Sequence, residues 1–274
     1  MPNSLSRLSE VFQQATMYLV GECFALHPEL HKIADQYPER SVLLPMSDTS
    51  IMGVAMGIAL DGNFPIVSVA DPRNISNMWN HLAEELSAIE NNSDFSISLC
   101  LVCPLNGVAL SSVPFNNWIK KEWNTHVWHS RSPIETAYIV AQTQKQQAIS
   151  IILESEESSA IGLHNPSEVQ ILCQHPKAIL TIISLSTNQS VLEEVMENHS
   201  SIPMDVLLLQ DASSNASAIS ESVYNSGRVV LVDTPAHILS QIIEQAFWRL
   251  ETQPQFCRAD AQAISKAISS VVEK

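Results

Sequence analysis

Short, almost wholly apolar runs alternate with helix-length segments along most of this chain, and that alternation limits the folds open to it. The strand-like runs are "SVLLP" (41–45), "FPIVSVA" (64–70), "SISLCLVC" (96–103), "HVWH" (126–129) and "AISIILES" (148–155). Helix-length runs at 49–60, 75–90 and 133–146 lie between them. Strands apolar on both faces, separated by helices, belong in a parallel sheet covered on both sides. In "DPRNISNMWNHLAEELSAI", Ile75, Met78, Trp79, Leu82, Leu86 and Ile89 recur at helical spacing. Pro72 marks the turn before this helix, and Asn74 or Ser76 can cap it.

A polar stretch with two prolines, "GLHNPSEVQILCQHPK" (162–177), interrupts the pattern. The alternation then restarts with strands at 178–185, 204–210 and 228–233 and helices near 188–198, 215–226 and 236–250. The expectation is an α/β protein of two domains, a parallel-sheet domain at 1–162 and a smaller α/β domain at 178–274, joined by a linker at 163–177.

Composition narrows the function classes. Of 274 residues, 45% are hydrophobic and 16% charged, enough for a sizeable core. The net charge of -15 and the lack of a basic stripe argue against a nucleic-acid surface. No apolar run approaches the ~20 residues that span a bilayer, and the first residues carry no basic-then-apolar leader. Five cysteines form an odd set without secretory context, so a reducing, cytoplasmic home is expected.

"PMSDTSIMGVAMGIALDG" (45–62) is the unusual segment. The chain has only 7 glycines, and Gly53 and Gly57 sit four apart in this apolar helix, behind Asp48. Each glycine costs about 1 kcal/mol relative to alanine in a helix interior. They open a groove, either for a backbone of another subunit or for close packing on the chain's own sheet. Asp48 or Ser47 can cap this helix.

Other constellations carry less. "HPELH" (27–31) is not the H-E-x-x-H zinc signature, and its Pro28 suits no helix interior. "CLVC" (100–103) lies in an apolar strand, where residues three apart face opposite sides, so packing cysteines are expected. The histidines of "HVWH" split between faces in the same way. Asp211, Asp233 and Asp260 read as caps or turn residues. No metal site is expected. No G-x-S-x-G, P-loop or G-x-G-x-x-G is present.

Taken in order, the segments resemble a known family. They are "LVGE" (19–22), "PERSVLLPMSDTSIMGVAMGIALDGNFPIV" (38–67), "MWNHLAEEL" (78–86), "CPLNG" (103–107), "THVWHSRSPIETAYIV" (125–140) and "ISIILESE" (149–156). In the second half "LTIISLS", "SVYNSGRVVLVD" and "FWRLETQPQFCRAD" continue the series. The chain resembles the beta subunit of the heteromeric 2-oxo acid dehydrogenase decarboxylating component. More broadly it is similar to the pyrimidine-binding half plus C-terminal domain of transketolase-like thiamine diphosphate enzymes.

The resemblance implies thiamine diphosphate with Mg2+, held only at a shared subunit interface. This chain lacks the Gly-Asp-Gly and distant Asn that bind metal and diphosphate, which an alpha subunit supplies in the family. It implies an alpha-like partner or a second copy as homodimer, with Gly53 and Gly57 in the interface. Asp48 falls where the family has the glutamate that hydrogen-bonds the aminopyrimidine, and Asp71 where it has an aromatic residue against that ring.

Three departures accompany the likeness. Asp48 is one methylene short, Asp71 offers no ring face, and no histidine occurs between 82 and 125, where only Ser111 and Ser112 match a His-Ser pair. The implied function is a beta-subunit-like component for 2-oxo acid decarboxylation and acyl transfer, with catalysis impaired or lost. The alternative is a non-catalytic assembly or regulatory protein on the same fold.

Overall fold

The computed structural model describes residues 5–13, 16–22, 24, 27–90, 97–105, 124–155, 169–211 and 217–273. Ser111 and Ser112 lie outside these residues. The chain divides into two compact units, Met1–Pro166 and Ser167–Lys274.

The first unit contains β1 (Met17–Gly21), β2 (Ser41–Leu43), β3 (Phe64–Ser68), β4 (Leu99–Pro104), β5 (Thr125–Ser130) and β6 (Ile149–Glu154). They form one six-stranded sheet in the order β2-β1-β3-β4-β6-β5, and every pairing is parallel. The described helices are α1 (Leu5–Phe12), α2 (Pro28–Gln36), α3 (Asp48–Leu60), α4 (Pro72–Glu90) and α5 (Pro133–Gln146). On one face Leu8, Phe12, Leu30, Ile33 and Val140 pack with Met17, Leu19, Ile66, Val102 and Ile152. On the other, α3 packs against β3 and α4. Trp79, Met78 and Leu82 of α4 are fully buried. This is the two-sided cover that apolar parallel strands require.

Local signals explain where these helices start. Ser47 caps α3, its hydroxyl accepting from the Ser50 N–H at 3.4 Å. Asp71, rather than Asn74 or Ser76, caps α4: its Oδ1 accepts from the Arg73 N–H at 2.8 Å. Pro72 is then the first helical residue, where a missing N–H costs nothing. Pro28 likewise begins α2, at the helix start and not in its interior.

The second unit contains β7 (Val169–Cys173), β8 (Leu180–Leu185), β9 (Met204–Leu209), β10 (Val229–Val232) and β11 (Gln255–Cys257). Its helices are α6 (Gln189–Asn198), α7 (Ser217–Ser226), α8 (Ala236–Ala246) and α9 (Ala261–Val272). The sheet order is β11-β10-β8-β9-β7, parallel except for the antiparallel pair of β7 and β9. Residues 169–173, expected within a linker, are therefore an edge strand of this sheet. The His175 N–H donates to buried Asp205 at 2.9 Å and fastens the chain just beyond it. Leu180, Ile182, Val206, Leu208 and Val230 pack with Leu192, Ile264, Ile268 and Val271.

Candidate functional site

In an open parallel sheet, ligands bind outside the carboxyl ends of the strands, where the strand order reverses. In the first unit that point lies between β1 and β3: the chain moves outward from β1 to β2, then returns to β3 on the other side. The two strands approach closely there. Gly21 pairs with Ser68, and a Cβ on Gly21 would lie 2.8 Å from both the Cβ and the carbonyl oxygen of Ser68. Only glycine fits without a shift.

Two groups of polar side chains converge on this edge, one on each face of the sheet. Strand alternation turns Gly21 toward the α1–α2–α5 core and Glu22 toward α3. Asp48 opens α3, and its Oδ2 accepts from Asn77 Nδ2 of α4 at 3.2 Å. Glu22 is half-buried, yet its Oε1 is shut away from solvent and has no hydrogen-bond partner among the described residues. Burial, and then the charge of Asp48, push the Glu22 carboxyl above the usual carboxylate range. Ser68 Oγ, on the face that Gly21 shares, is a second buried atom at this edge with no partner among the described residues.

The opposite face holds a closed network. His27, buried just before α2, places Nδ1 3.0 Å from Glu154 Oε2 and Nε2 3.3 Å from the Val69 carbonyl oxygen. The carbonyl can only accept, so Nε2 carries a proton. Thr136 donates to Glu154 Oε1 at 2.6 Å and lies 2.8 Å from Ser130 Oγ. This network fastens α2, β3, β5, β6 and α5 together at the mouth of the crevice.

Asp71 follows β3. The Arg73 Nε donates to its two oxygens at 2.9 and 3.0 Å, and Arg73 Nη2 donates as well. The guanidinium hydrogen bonds hold the Asp71 carboxyl below the usual carboxylate range. Asp71 is thus a helix cap in an ion pair, not a ring platform. Cys103, at the end of β4, is buried and its thiol is pushed up, by burial and then by the charges of Asp71 and Glu154. Cys100 is pushed up to about 12 by burial. Both thiols are packing groups.

Gly53 and Gly57 lie on the side of α3 away from the sheet, for Ile51, Met52, Ala55, Met56 and Ala59 are its buried residues. Both glycines are exposed, and a Cβ on either would meet nothing within 4 Å. Close packing on the chain's own sheet is therefore not why they are glycine. Asp233 and Asp260 act locally: Asp233 accepts from the Ala259 N–H at 3.0 Å, and Asp260 caps α9 by accepting from the Ala263 N–H at 2.9 Å. Among the described residues, no three His, Cys, Asp or Glu side chains form a group that could hold a metal.

Solved structures share this architecture. Over 98% of its length the chain matches 96% of a chain described as "Split gene transketolase, inactive beta4 tetramer", with a TM-score of 0.68 and 16% identity. The fold is transketolase-like. A 2-oxoglutarate:ferredoxin oxidoreductase from Magnetococcus marinus matches over 97% of this chain and 64% of its own, with a TM-score of 0.65 and 8% identity. The transketolase of Campylobacter jejuni matches over 96% of this chain and 45% of its own, at 0.65 and 10%. No family model matches the sequence, and no curated protein does. Among the described residues, no helix is long and apolar enough to cross a membrane.

Glu22, His27 and Glu154 are the site residues that sequence patterns passed over. Glu22 directly follows an apolar strand and Glu154 ends one, which is the available signal. His27 and Glu154 are 127 positions apart, and only the topology joins them.

Proposed function

We propose that this chain is a beta-subunit-like component of a heteromeric thiamine diphosphate enzyme of the 2-oxo acid dehydrogenase type, with catalysis impaired. The convergence of Glu22 and Asp48 at the switch point of the first sheet carries this reading. The full-length likeness to a split transketolase chain supports it.

The residues fit one part of the cofactor. An orphaned, buried carboxyl oxygen on Glu22 beside Asp48 suits the hydrogen-bonding edge of an aminopyrimidine. They do not fit another, because the carboxylate of Asp71 is closed by Arg73 where the ring needs an apolar face. When bound, thiamine diphosphate supplies the carbanion chemistry that decarboxylates a 2-oxo acid. This chain's acids would hold the pyrimidine and exchange its proton. Mg2+ and the diphosphate would be held by a partner.

The outward side of α3 fits a subunit contact. A helix apolar all round is a buried helix, yet here one side carries exposed Gly53, Gly57 and Leu60, the last 39% accessible. Leu43 and Met46, just ahead of α3, are 66% and 82% accessible. The proposed occupant is an alpha-like subunit, or a second copy of this chain.

The test is calorimetric. The chain, recovered with its co-assembled subunits, is titrated with thiamine diphosphate and Mg2+. Saturable binding that weakens in Asp48→Ala supports the shared site. No saturable binding in the unaltered assembly rejects it.

A further inference from the structure

We propose that Glu22, not Asp48, presents the carboxyl that meets the ring nitrogen of the aminopyrimidine, with Asp48 a positioning residue acting through it. This inference rests on the thiamine reading above and assigns the working acid within it.

Reach is the first argument. Asp48 is shorter than glutamate by one methylene, about 1.5 Å of carbon chain. Its Oδ2 is also engaged by Asn77 Nδ2 at 3.2 Å, at the first turn of α3. Glu22 has the longer arm and comes from β1, the strand that borders the switch point. Its Oε1 is out of contact with water and has no partner among the described residues. Leaving a buried oxygen unsatisfied is destabilising, and a ligand that satisfies it recovers that cost.

Protonation is the second argument. Burial disfavours the Glu22 carboxylate, and the Asp48 charge disfavours it further. Glu22 therefore keeps its proton to higher pH than an ordinary glutamate and can donate an O–H to a ring nitrogen. Among the described residues of the same edge, Asp71 is paired with Arg73, and Glu154 is hydrogen-bonded to His27 and Thr136. Asp48 is the charge that acts on Glu22. Its role is then to hold that proton in place. The departure at position 48 becomes a division of labour between two acids.

Two measurements test the assignment. The first needs no ligand: the side-chain carboxyl of Glu22 is titrated by carbon-13 NMR in the unaltered chain and in Asp48→Asn. The expected result is a Glu22 midpoint above those of the exposed glutamates, which drops in the variant. An ordinary midpoint, or one that Asp48→Asn leaves unmoved, overturns the proposal.

The second measures thiamine diphosphate binding, with Mg2+, to the recovered assembly by calorimetry across pH. Glu22→Gln should weaken binding at least tenfold, because the amide cannot pass a proton and presents a different donor. Asp48→Asn should weaken it only two- to threefold and move its alkaline limb to lower pH. Binding that Glu22→Gln leaves intact while Asp48→Asn abolishes it overturns this assignment and keeps the thiamine reading. An unaltered assembly that takes up no thiamine diphosphate overturns both.

Discussion

Replacing Gly53 and Gly57 together with alanine separates what α3 does inside the protomer from what it does outside. Glycine in a helix interior costs about 0.8–1.0 kcal/mol relative to alanine, so the pair costs roughly 1.6–2 kcal/mol. Inside this chain nothing is lost by the exchange, since an added Cβ at either position meets no atom within 4 Å. The isolated protomer should therefore gain roughly 1.6–2 kcal/mol, a rise in Tm of roughly 3–8 °C for a domain of this size. Against a partner helix the same methyl groups are an obstruction. Overpacking a close contact costs about 1–3 kcal/mol, and each 1.4 kcal/mol weakens association tenfold. Thermal denaturation by circular dichroism at low concentration reads the first effect. Sedimentation velocity over a concentration series reads the second. A double variant that is more stable and still associates as before would refute the interface role of α3. One less stable as a monomer would refute the packing argument itself.

Three further outcomes are expected. Glu154→Ala removes a hydrogen-bond partner of both His27 and Thr136, and should cost about 1–3 kcal/mol in urea denaturation; Gly21→Ala should cost about 1–3 kcal/mol, because its Cβ would press on the Ser68 backbone. Asp71 has its folded-state pKa depressed, so its contribution to stability is present above its unfolded pKa and is lost as pH falls through the folded one. Arg73→Ala should remove that acid-side decline from a plot of stability against pH. Cys100 and Cys103, buried and raised, should resist iodoacetamide at pH 8 in the folded chain and react once it is unfolded.

Elements set by local pattern were legible and those set by context were not. The run at 133–146 is helix α5 over the same residues, because Ser132 and Pro133 mark its start and apolar spacing carries it through. Val169–Cys173 is five residues between two prolines, too short to stand out as a strand, and the antiparallel pairing with β9 makes it one. Gln255–Cys257 has three residues and is strand only through β10. The site divides in the same way. Asp48 was findable from its place in an ordered series of segments. The property that marks out Glu22 is desolvation beside another acid, which no spacing in the chain encodes. His27 sat in a motif that resembled a poor metal site, and its meaning came from a carboxylate on a strand in the far half of the unit.

The antiparallel edge of the second sheet has a practical consequence for dissecting this protein. A C-terminal piece begun at residue 178 would lack β7, and one side of β9 would be left with bare amides and carbonyls along Val206–Leu209. Such an apolar open edge recruits strands from other molecules. A piece begun ahead of Val169 carries its own cover and should stay dispersed where the shorter one precipitates.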